Sequence, residues 1–241
     1  MTLPATVDVT LPDGRVVSAQ LRPSGRARIP RIRVGAQAPL HLVVPEGCSV
    51  DQAVDALELK APWIARKLDE IERLRSEVVP LGLGRPETVW VAGLAIPVRR
   101  VQGAGAPRLR GGMLEVSGEQ ALAGEAIERW YRRQARAALG SVVGEEAGRL
   151  GISPGRIAIR DQRTRWGSCS SAGALSFSWR LVIAPPEVLR YVVVHELLHV
   201  RMANHSKTFW RALDASLPGW EEHARWLRCH GDELRSYRPR P

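Results

Sequence analysis

Short stretches in the first third of the chain alternate apolar and polar residues, which is the pattern of half-buried β-strands. The alternation runs through residues 7–11, 15–19, 29–34 and 40–44, and a Pro-Asp-Gly turn stands at 12–14. Pro30 interrupts the third stretch, and because proline removes a backbone N–H from the ladder, we expect that strand at a sheet edge. The pattern predicts a curled antiparallel sheet with one arginine-bearing face in water.

A helical block is predicted at about residues 50–77. Ser49 and Gln52 have the spacing of a capping box, in which each side chain accepts a hydrogen bond from the other residue's backbone N–H at the start of a helix. Pro62 stands where a second helix can begin, and apolar residues after it recur every three or four positions. Residues 80–118 then return to short strand segments among glycine and proline.

After residue 119 the apolar residues recur every three or four positions, which predicts a long helix. One face of this helix carries Ile127, Trp130, Tyr131, Ala135 and Leu139. We therefore predict an α+β fold in two parts. Residues 1–118 form a β-rich N-terminal part that contains the helical block, and residues 119–241 form a second domain. The second domain holds the residues that carry chemistry.

The decisive motif is His-Glu-Leu-Leu-His at residues 195–199. Residues four apart lie on one face of a helix, so the imidazoles of His195 and His199 can bind one zinc ion. Glu196 borders the same face and can act as general base towards the hydrolytic water. Residues 188–194 are apolar nearly all round, so we expect a buried helix whose polar groups are compensated by a metal.

A catalytic zinc site takes a third protein ligand and keeps one position open. His205 follows His199 by six residues, so it reaches the metal only if the chain turns near Asn204, a residue that tolerates the left-handed conformation. The offset equals that of the metzincin pattern, but Met202 replaces its glycine and no later methionine can form its Met-turn. His205 is the favoured third ligand, and the rivals are Glu221, Glu222, His223 and His230.

These motifs resemble those of the YgjP-like metallopeptidases, which are zincins related to the SprT-like and WLM proteins. The resemblance rests on Arg-Trp-Gly-Ser-Cys at 165–169, Phe-Ser-Trp-Arg-Leu at 177–181, the His-Glu-Leu-Leu-His helix, Asn-His-Ser at 204–206 and Phe-Trp at 209–210. It is dense over residues 160–212 and loose before them. It implies a zincin-like metallohydrolase domain with zinc ligands His195, His199 and His205, catalytic acid/base Glu196, and a peptide or protein substrate.

Further side chains are needed to stabilise the oxyanion that forms when water adds to a carbonyl group. Contacts to the substrate or transition state are predicted for Arg165, Tyr191 and His223, with Tyr237 as a fourth candidate. A strand predicted at residues 174–183 leads directly into the helix, so we expect its backbone to pair with an extended peptide. Cys169 with a histidine base is an alternative nucleophile.

The charge of the chain leaves a second class of substrate open. The sequence has 35 lysines and arginines against 25 acidic residues, a net charge of +10, and a basic surface favours an anionic partner. The alternatives to a peptidase are therefore a zinc-dependent hydrolase of a nucleotide phosphoanhydride and a nucleic-acid-associated protein with a zinc site. Glu196 argues against the last of these, because a structural zinc site has no use for a base.

Composition excludes several other classes of protein. The chain is 44% hydrophobic, which excludes disorder throughout, and its three cysteines form no CxxC pair for a zinc ribbon. No apolar run reaches the roughly 18 residues of a membrane span, and the N-terminus lacks the pattern of a cleaved signal peptide. We therefore expect a cytoplasmic protein with no membrane partner.

Overall fold

The computed structural model of the chain describes residues 4–34, 40–77, 80–162 and 164–239. The chain folds into two compact units, Met1–Val79 and Pro80–Pro241. The predicted boundary between residues 118 and 119 lies later in the chain than this division. The difference arises because Val89, Leu114 and Val116 share one hydrophobic cluster with Ile127 and Trp130, so the strands before residue 118 belong with the residues that follow them.

The first unit consists of a four-stranded sheet and two helices. Its elements are β1 (Thr6–Thr10), β2 (Val16–Ser24), β3 (Arg31–Arg33), β4 (Leu40–Pro45), α1 (Val50–Glu58) and α2 (Ala61–Glu77). The strand order is β1-β2-β4-β3, with β2 and β4 parallel and the other neighbours antiparallel. The sheet is therefore mixed, and the predicted antiparallel pairing is wrong between β2 and β4.

Burial explains why β4 lies between β2 and β3. The inward side chains of β4 are Leu40, Leu42 and Val44, and the last two are fully buried, whereas β3 has the sequence Arg-Ile-Arg and follows Pro30. The apolar strand takes the centre of the sheet and the charged strand takes its edge. The edge position predicted from Pro30 is confirmed.

The helix starts predicted for this unit are also confirmed. The hydroxyl of Ser49 accepts a hydrogen bond from the Gln52 N–H, and the Gln52 side chain accepts one from the Ser49 N–H, which completes the capping box of α1. α2 begins at Ala61, one residue before Pro62. Local signals of this kind act within one turn of chain and therefore depend little on the rest of the fold.

The second unit contains two sheets and several helices. β5 (Thr88–Val91), β6 (Leu94–Val101), β7 (Arg108–Arg110) and β8 (Met113–Ser117) form a sheet of order β5-β6-β8-β7, in which β6 and β8 are parallel. After the long helix α3 (Gln120–Leu150), a second sheet of order β10-β11-β9 comprises β9 (Ile157–Arg160), β10 (Gly167–Cys169) and β11 (Leu175–Ser178). A 3-10 helix (Trp179–Ile183), α4 (Pro186–Leu198), α5 (Lys207–Ser216) and α6 (Trp220–Ser236) complete the unit.

The long strand predicted at residues 174–183 is wrong in its second half. β11 ends at Ser178, whose hydroxyl accepts a hydrogen bond from the Arg180 N–H and begins the 3-10 helix. Every residue of that helix is buried, and an apolar run buried on all sides has no period that separates a strand from a tight helix. β11 is also the central strand of its sheet, so it has no free edge, and the predicted pairing of a substrate with this strand is wrong.

α4 passes through the core of the second unit. It packs against α3, α5, α6 and β10, and most of its side chains from Val188 onward are buried. Pro186 starts the helix, and Glu187 in the first turn favours the positive end of its dipole. Although α4 is strongly apolar, neither it nor any other helix in the described part of the chain is long and apolar enough to cross a membrane.

Candidate metal centre

Three histidine side chains converge at the C-terminal end of α4. His195 lies in the last turn of the helix, His199 directly follows it, and His205 comes from the loop before α5. The Nε2 atom of His205 lies 2.9 Å from Nε2 of His195 and 3.1 Å from Nε2 of His199. Within the described ranges, they are the one group of three or more His, Cys, Asp or Glu side chains placed to hold a metal ion together.

An early helix end brings the third histidine to the other two. α4 stops at Leu198, and the Met202 N–H bonds back to the Leu198 carbonyl, so the chain turns immediately after His199. The turn was predicted near Asn204 in a left-handed conformation, but Asn204 is not among the described residues with positive φ. Ser206 then caps α5. The turn that follows α4, and not a left-handed residue, therefore brings His205 to His195 and His199.

The donor atoms suit a metal ion. Nitrogen ligands of a tetrahedral zinc ion, each at about 2.0–2.1 Å from it, lie about 3.3 Å from each other, close to the separations found here. The Nδ1 atom of His199 lies 2.8 Å from the Met202 carbonyl oxygen, which can only accept a hydrogen bond. Nδ1 therefore carries the hydrogen, and the Nε2 lone pair of His199 is available to a metal.

Burial favours the neutral imidazole, the form that binds a metal, at His195 and His205. Burial, together with the neighbouring His199 and His205, lowers the pKa of His195 to about 4. The pKa of His205 is also lowered, by burial and by His199. The Nδ1 atom of His195 is buried with no hydrogen-bond partner in the described structure. Three neutral Nε2 lone pairs that face one another repel unless a cation lies between them, and a metal ion at the centre of the cluster would remove this repulsion.

Glu196 provides a buried carboxyl group one residue after His195. Its side chain belongs to the core, since the residue is only 7% exposed. Burial raises the pKa of Glu196 to about 7, while the charge of Arg165 and a hydrogen bond from the Cys169 backbone N–H oppose that rise. A carboxyl group with a pKa near neutrality can both take and give a proton at physiological pH.

Phe209 packs against all three histidines. Its ring is fully buried, and its centre lies 5.0 Å from that of His195, 4.6 Å from that of His199 and 4.9 Å from that of His205. It comes from the first turn of α5, which Ser206 caps by accepting the Phe209 N–H. The Phe209 ring therefore contacts all three imidazoles and limits the movement of each one.

A stack of aromatic rings extends from the cluster towards α6. Trp210 lies on His205 with ring centres 5.3 Å apart and 22° between the planes, and Trp220 lies on Trp210 at 5.0 Å. Tyr191 stacks in turn on Trp220. Trp210 is 37% exposed, so one large apolar surface beside the histidines remains in contact with solvent.

Two of the predicted contact residues lie beside the site. The exposed Arg165 acts on Glu196 through its charge. Tyr191 lies one turn before His195 on the same face of α4, and the two ring centres are 5.9 Å apart. Burial raises the pKa of Tyr191, so its hydroxyl keeps its proton and can donate a hydrogen bond.

The remaining candidates lie elsewhere. The rival ligands Glu221, Glu222, His223 and His230 all lie on α6, and none of them belongs to the group of side chains that could share a metal ion. No hydrogen bond or ring contact joins His223 to the three histidines in the part of the chain that the structure describes. The Tyr237 hydroxyl lies 3.3 Å from the Tyr131 hydroxyl in the buried core, so its placement does not support the predicted oxyanion contact.

The alternative nucleophile, Cys169, is held as a thiol. Burial raises its pKa, and the nearby Glu196 adds to the rise. The thiol donates to the Ser170 carbonyl oxygen at 3.3 Å. Because the thiolate is the reactive form, this environment does not favour nucleophilic catalysis by Cys169.

Three contributions to the site were not predicted from the sequence. The Met202 carbonyl and the Cys169 N–H are backbone groups, which every residue has, so no residue type signals their roles. The support that Phe209 gives to the imidazoles had one signal, the Phe-Trp pair that follows His205 in the sequence. The histidines and Glu196 could be predicted from their residue types and spacing, whereas the backbone groups that contact them could not.

A comparison with protein families finds a match over most of the chain. The model of the YgjP-like metallopeptidase domain matches residues 28–230, which include the histidine cluster and Glu196. The match begins within the first compact unit and ends in α6, so it covers most of both units. A search of curated proteins finds no match. The chain belongs to the YgjP-like metallopeptidases and is therefore a member of a family of metal-dependent hydrolases.

Proposed function

We propose that this protein is a zinc-dependent peptidase that hydrolyses peptide bonds in peptides or proteins. His195, His199 and His205 hold the zinc ion, and Glu196 is the general base. The observation that carries this proposal is the approach of the three Nε2 atoms, at 2.9 Å and 3.1 Å, next to a buried glutamate. Membership of a metallopeptidase family supports it.

The donor set favours zinc over harder cations. Three neutral imidazoles suit zinc, whereas magnesium and calcium prefer carboxylate and carbonyl oxygens. Three protein ligands leave a fourth position open, as catalytic zinc sites require. When bound, zinc supplies a Lewis acid that polarises the substrate carbonyl and acidifies water.

Glu196 moves the proton in this reaction. Its carboxylate oxygen takes a proton from the water that attacks the carbonyl carbon, and it passes this proton to the amide nitrogen as the C–N bond breaks. The two products are a carboxylic acid and an amine, so the water is fully consumed. The raised pKa of Glu196, about 7, makes its carboxylate basic enough for this role. The charge of Arg165 lowers that pKa and so increases the fraction of carboxylate near neutral pH.

An extended peptide has a place to bind at β10. Because the Ser178 N–H bonds to the Trp166 carbonyl, alternation along the ladder turns the backbone groups of Gly167 and Cys169 away from β11. The Cys169 N–H is taken by Glu196, which leaves both backbone groups of Gly167 and the Cys169 carbonyl for a substrate. β10 is an edge strand and packs against α4, the helix that carries Glu196. A substrate strand on this edge would run past the histidines, with Arg165 and Tyr191 as candidate contacts to its carbonyl groups.

The variant Glu196→Gln tests the role of the base. Glutamine has the same shape but accepts no proton at neutral pH, so we expect casein hydrolysis to fall by about 10²- to 10⁴-fold while the protein still binds zinc. Glu187→Gln, the same substitution in the first turn of the same helix, is the control and should keep full activity. Undiminished hydrolysis by Glu196→Gln would exclude the proposed mechanism.

The same assay decides between peptidase activity and the two alternatives from the charge. Nucleoside triphosphates are offered beside casein, because the net charge of +10 also suits a phosphoanhydride substrate. Zinc-dependent nucleotide hydrolysis that is lost in Glu196→Gln, with no peptide cleavage, would replace our proposal. Retention on DNA that weakens with salt, without any hydrolysis, would indicate a nucleic-acid-associated protein instead.

A further inference from the structure

Gly167 in β10 is a buried glycine at a position where the backbone does not require glycine. The φ angle of Gly167 is not positive, and the residue pairs with Phe177 of β11 in a regular antiparallel ladder. Any L-amino acid can adopt such an extended conformation. The missing side chain therefore needs an explanation other than backbone geometry.

The space that a side chain would need is occupied by Glu196. A Cβ atom on Gly167 would lie 2.5 Å from Cγ, 2.8 Å from Oε1 and 2.9 Å from Cδ of Glu196. Non-bonded carbon atoms normally approach only to about 3.5–4.0 Å. Since Glu196 is only 7% exposed, its carboxyl group has little room to move aside. Even a methyl group at position 167 would displace either this carboxyl group or β10.

The same strand also holds the carboxyl group through its backbone. The backbone N–H of Cys169, two residues after Gly167 on the same strand and turned away from β11, also interacts with the Glu196 carboxyl group. The glycine creates the space, and the N–H two residues later fixes the group that fills it. Both effects depend on a close approach between β10 and α4.

We infer that Gly167 is a positioning residue for Glu196: its missing side chain lets β10 lie close enough to α4 for the Cys169 N–H to hold the carboxyl group in place. The catalytic meaning of this inference rests on the proposed function. The steric relation between positions 167 and 196 does not, so it can be measured whether or not the protein cleaves peptides.

Unfolding in urea tests the steric relation without any activity measurement. Gly167→Ala is made in the full chain in three backgrounds: wild type, Glu196→Gln and Glu196→Ala. Glutamine keeps the atoms that collide, so the substitution should lower the unfolding midpoint by about 0.5–1 M urea in the first two backgrounds. Alanine at 196 removes those atoms, so the midpoint should be unchanged in the third. An equal loss in all three backgrounds overturns the inference.

Kinetics test the consequence for the proposed reaction. The three histidines are intact in Gly167→Ala, so zinc content should equal that of the wild type, while kcat for a peptide substrate should fall at least tenfold with KM changed less than twofold. A kcat equal to that of the wild type, or a loss confined to KM, contradicts a positioning role. Should the wild type cleave no peptide at all, the proposed function fails, and the urea series alone decides the relation between Gly167 and Glu196.

Gly155→Ala is the matched control for both experiments. Gly155 precedes β9 in the same sheet, and a Cβ there would lie 3.3 Å from the backbone of Gly173 and Ala174, away from Glu196. It therefore crowds the sheet without touching the carboxyl group. Any change in its unfolding midpoint should be the same in the Glu196→Ala background, and its kcat should match the wild type. A kcat loss equal to that of Gly167→Ala would assign both losses to sheet crowding and overturn the inference.

Discussion

Two clusters of buried polar groups involve α4, and only one of them is electrically complete. In the first, Glu146 of α3 is fully buried, and its two carboxylate oxygens meet Arg149 at 2.6 Å and Arg190 of α4 at 2.5 Å. Both arginines are partly exposed, so their charges stay hydrated while the carboxylate is fully paired. This cluster joins two helices and requires nothing further.

The second cluster lies at the end of the same helix and lacks a matching charge. The pKa of His195 falls to about 4 and that of Glu196 rises to about 7, and burial is the main cause of both shifts. The Nε2 atom of His205 lies within 3.1 Å of those of His195 and His199, so the three imidazole nitrogens are close enough to share one metal ion. The comparison teaches that burial alone does not mark a functional site; a buried group whose charge or lone pair remains unmatched does.

Zinc should stabilise the second cluster and leave the first unaffected. At a zinc concentration about 1,000 times the dissociation constant, the free energy of unfolding should rise by about 4 kcal/mol, because the metal binds only the folded site. His205→Ala should remove most of this gain, measured by thermal unfolding with and without zinc. His230→Ala, a rival ligand on α6, should keep the whole gain; loss of the gain in that variant would mean that the ligand set is wrong.

Removing the carboxylate of the first cluster should cost stability but not activity. Glu146→Ala leaves Arg149 and Arg190 without their shared partner and opens a cavity, so we expect a loss of about 3 kcal/mol in the free energy of unfolding. Urea unfolding measures it, and activity per folded molecule should be unchanged. Glu145→Ala, at the exposed neighbouring position, should change stability by less than about 0.5 kcal/mol. A similar loss from both substitutions would refute the difference drawn between the clusters.

The pH dependence of metal-free protein should report the unmatched carboxyl group. The pKa of Glu196 is about 7 in the folded protein against 4.5 for an unperturbed glutamate, so between these values the folded state holds a proton that the unfolded state lacks. Relative to Glu196→Gln, the wild type should therefore gain stability as pH falls from about 7 to about 4.5, by on the order of 2 to 3 kcal/mol. A difference that does not vary with pH would mean that Glu196 is not buried as a lone acid.

Local patterns predicted those parts of the structure that local physics decides. The capping box at Ser49, the helix start at Pro62 and the shared face of His195 and His199 each depend on a few consecutive residues. The strand expected at residues 174–183 failed because its second half is buried on every side and has no period to interpret. The 3-10 helix that precedes α4 is buried on all sides, so its sequence lacks the alternation of apolar and polar residues that separates a strand from a helix.

Pairing between distant segments was harder to predict. The parallel alignments of β2 with β4 and of β6 with β8 depend on which strand is apolar enough to occupy the centre of each sheet. The shared core of Leu114 and Ile127 likewise joins segments on either side of the predicted boundary at residues 118 and 119. A strand pattern indicates that an apolar face exists, but which segment packs against that face depends on the whole core.

From the sequence alone one can predict which side chains lie together, because a spacing of four residues puts His195 and His199 on one face of a helix with Glu196 beside them. The tertiary structure decided how that chemistry is completed. An early helix end turns His205 back onto the pair, the Met202 carbonyl sets the tautomer of His199, and β10 holds Glu196 from the other side. These partners are backbone groups and a missing side chain, which become specific only when folding brings distant segments into contact.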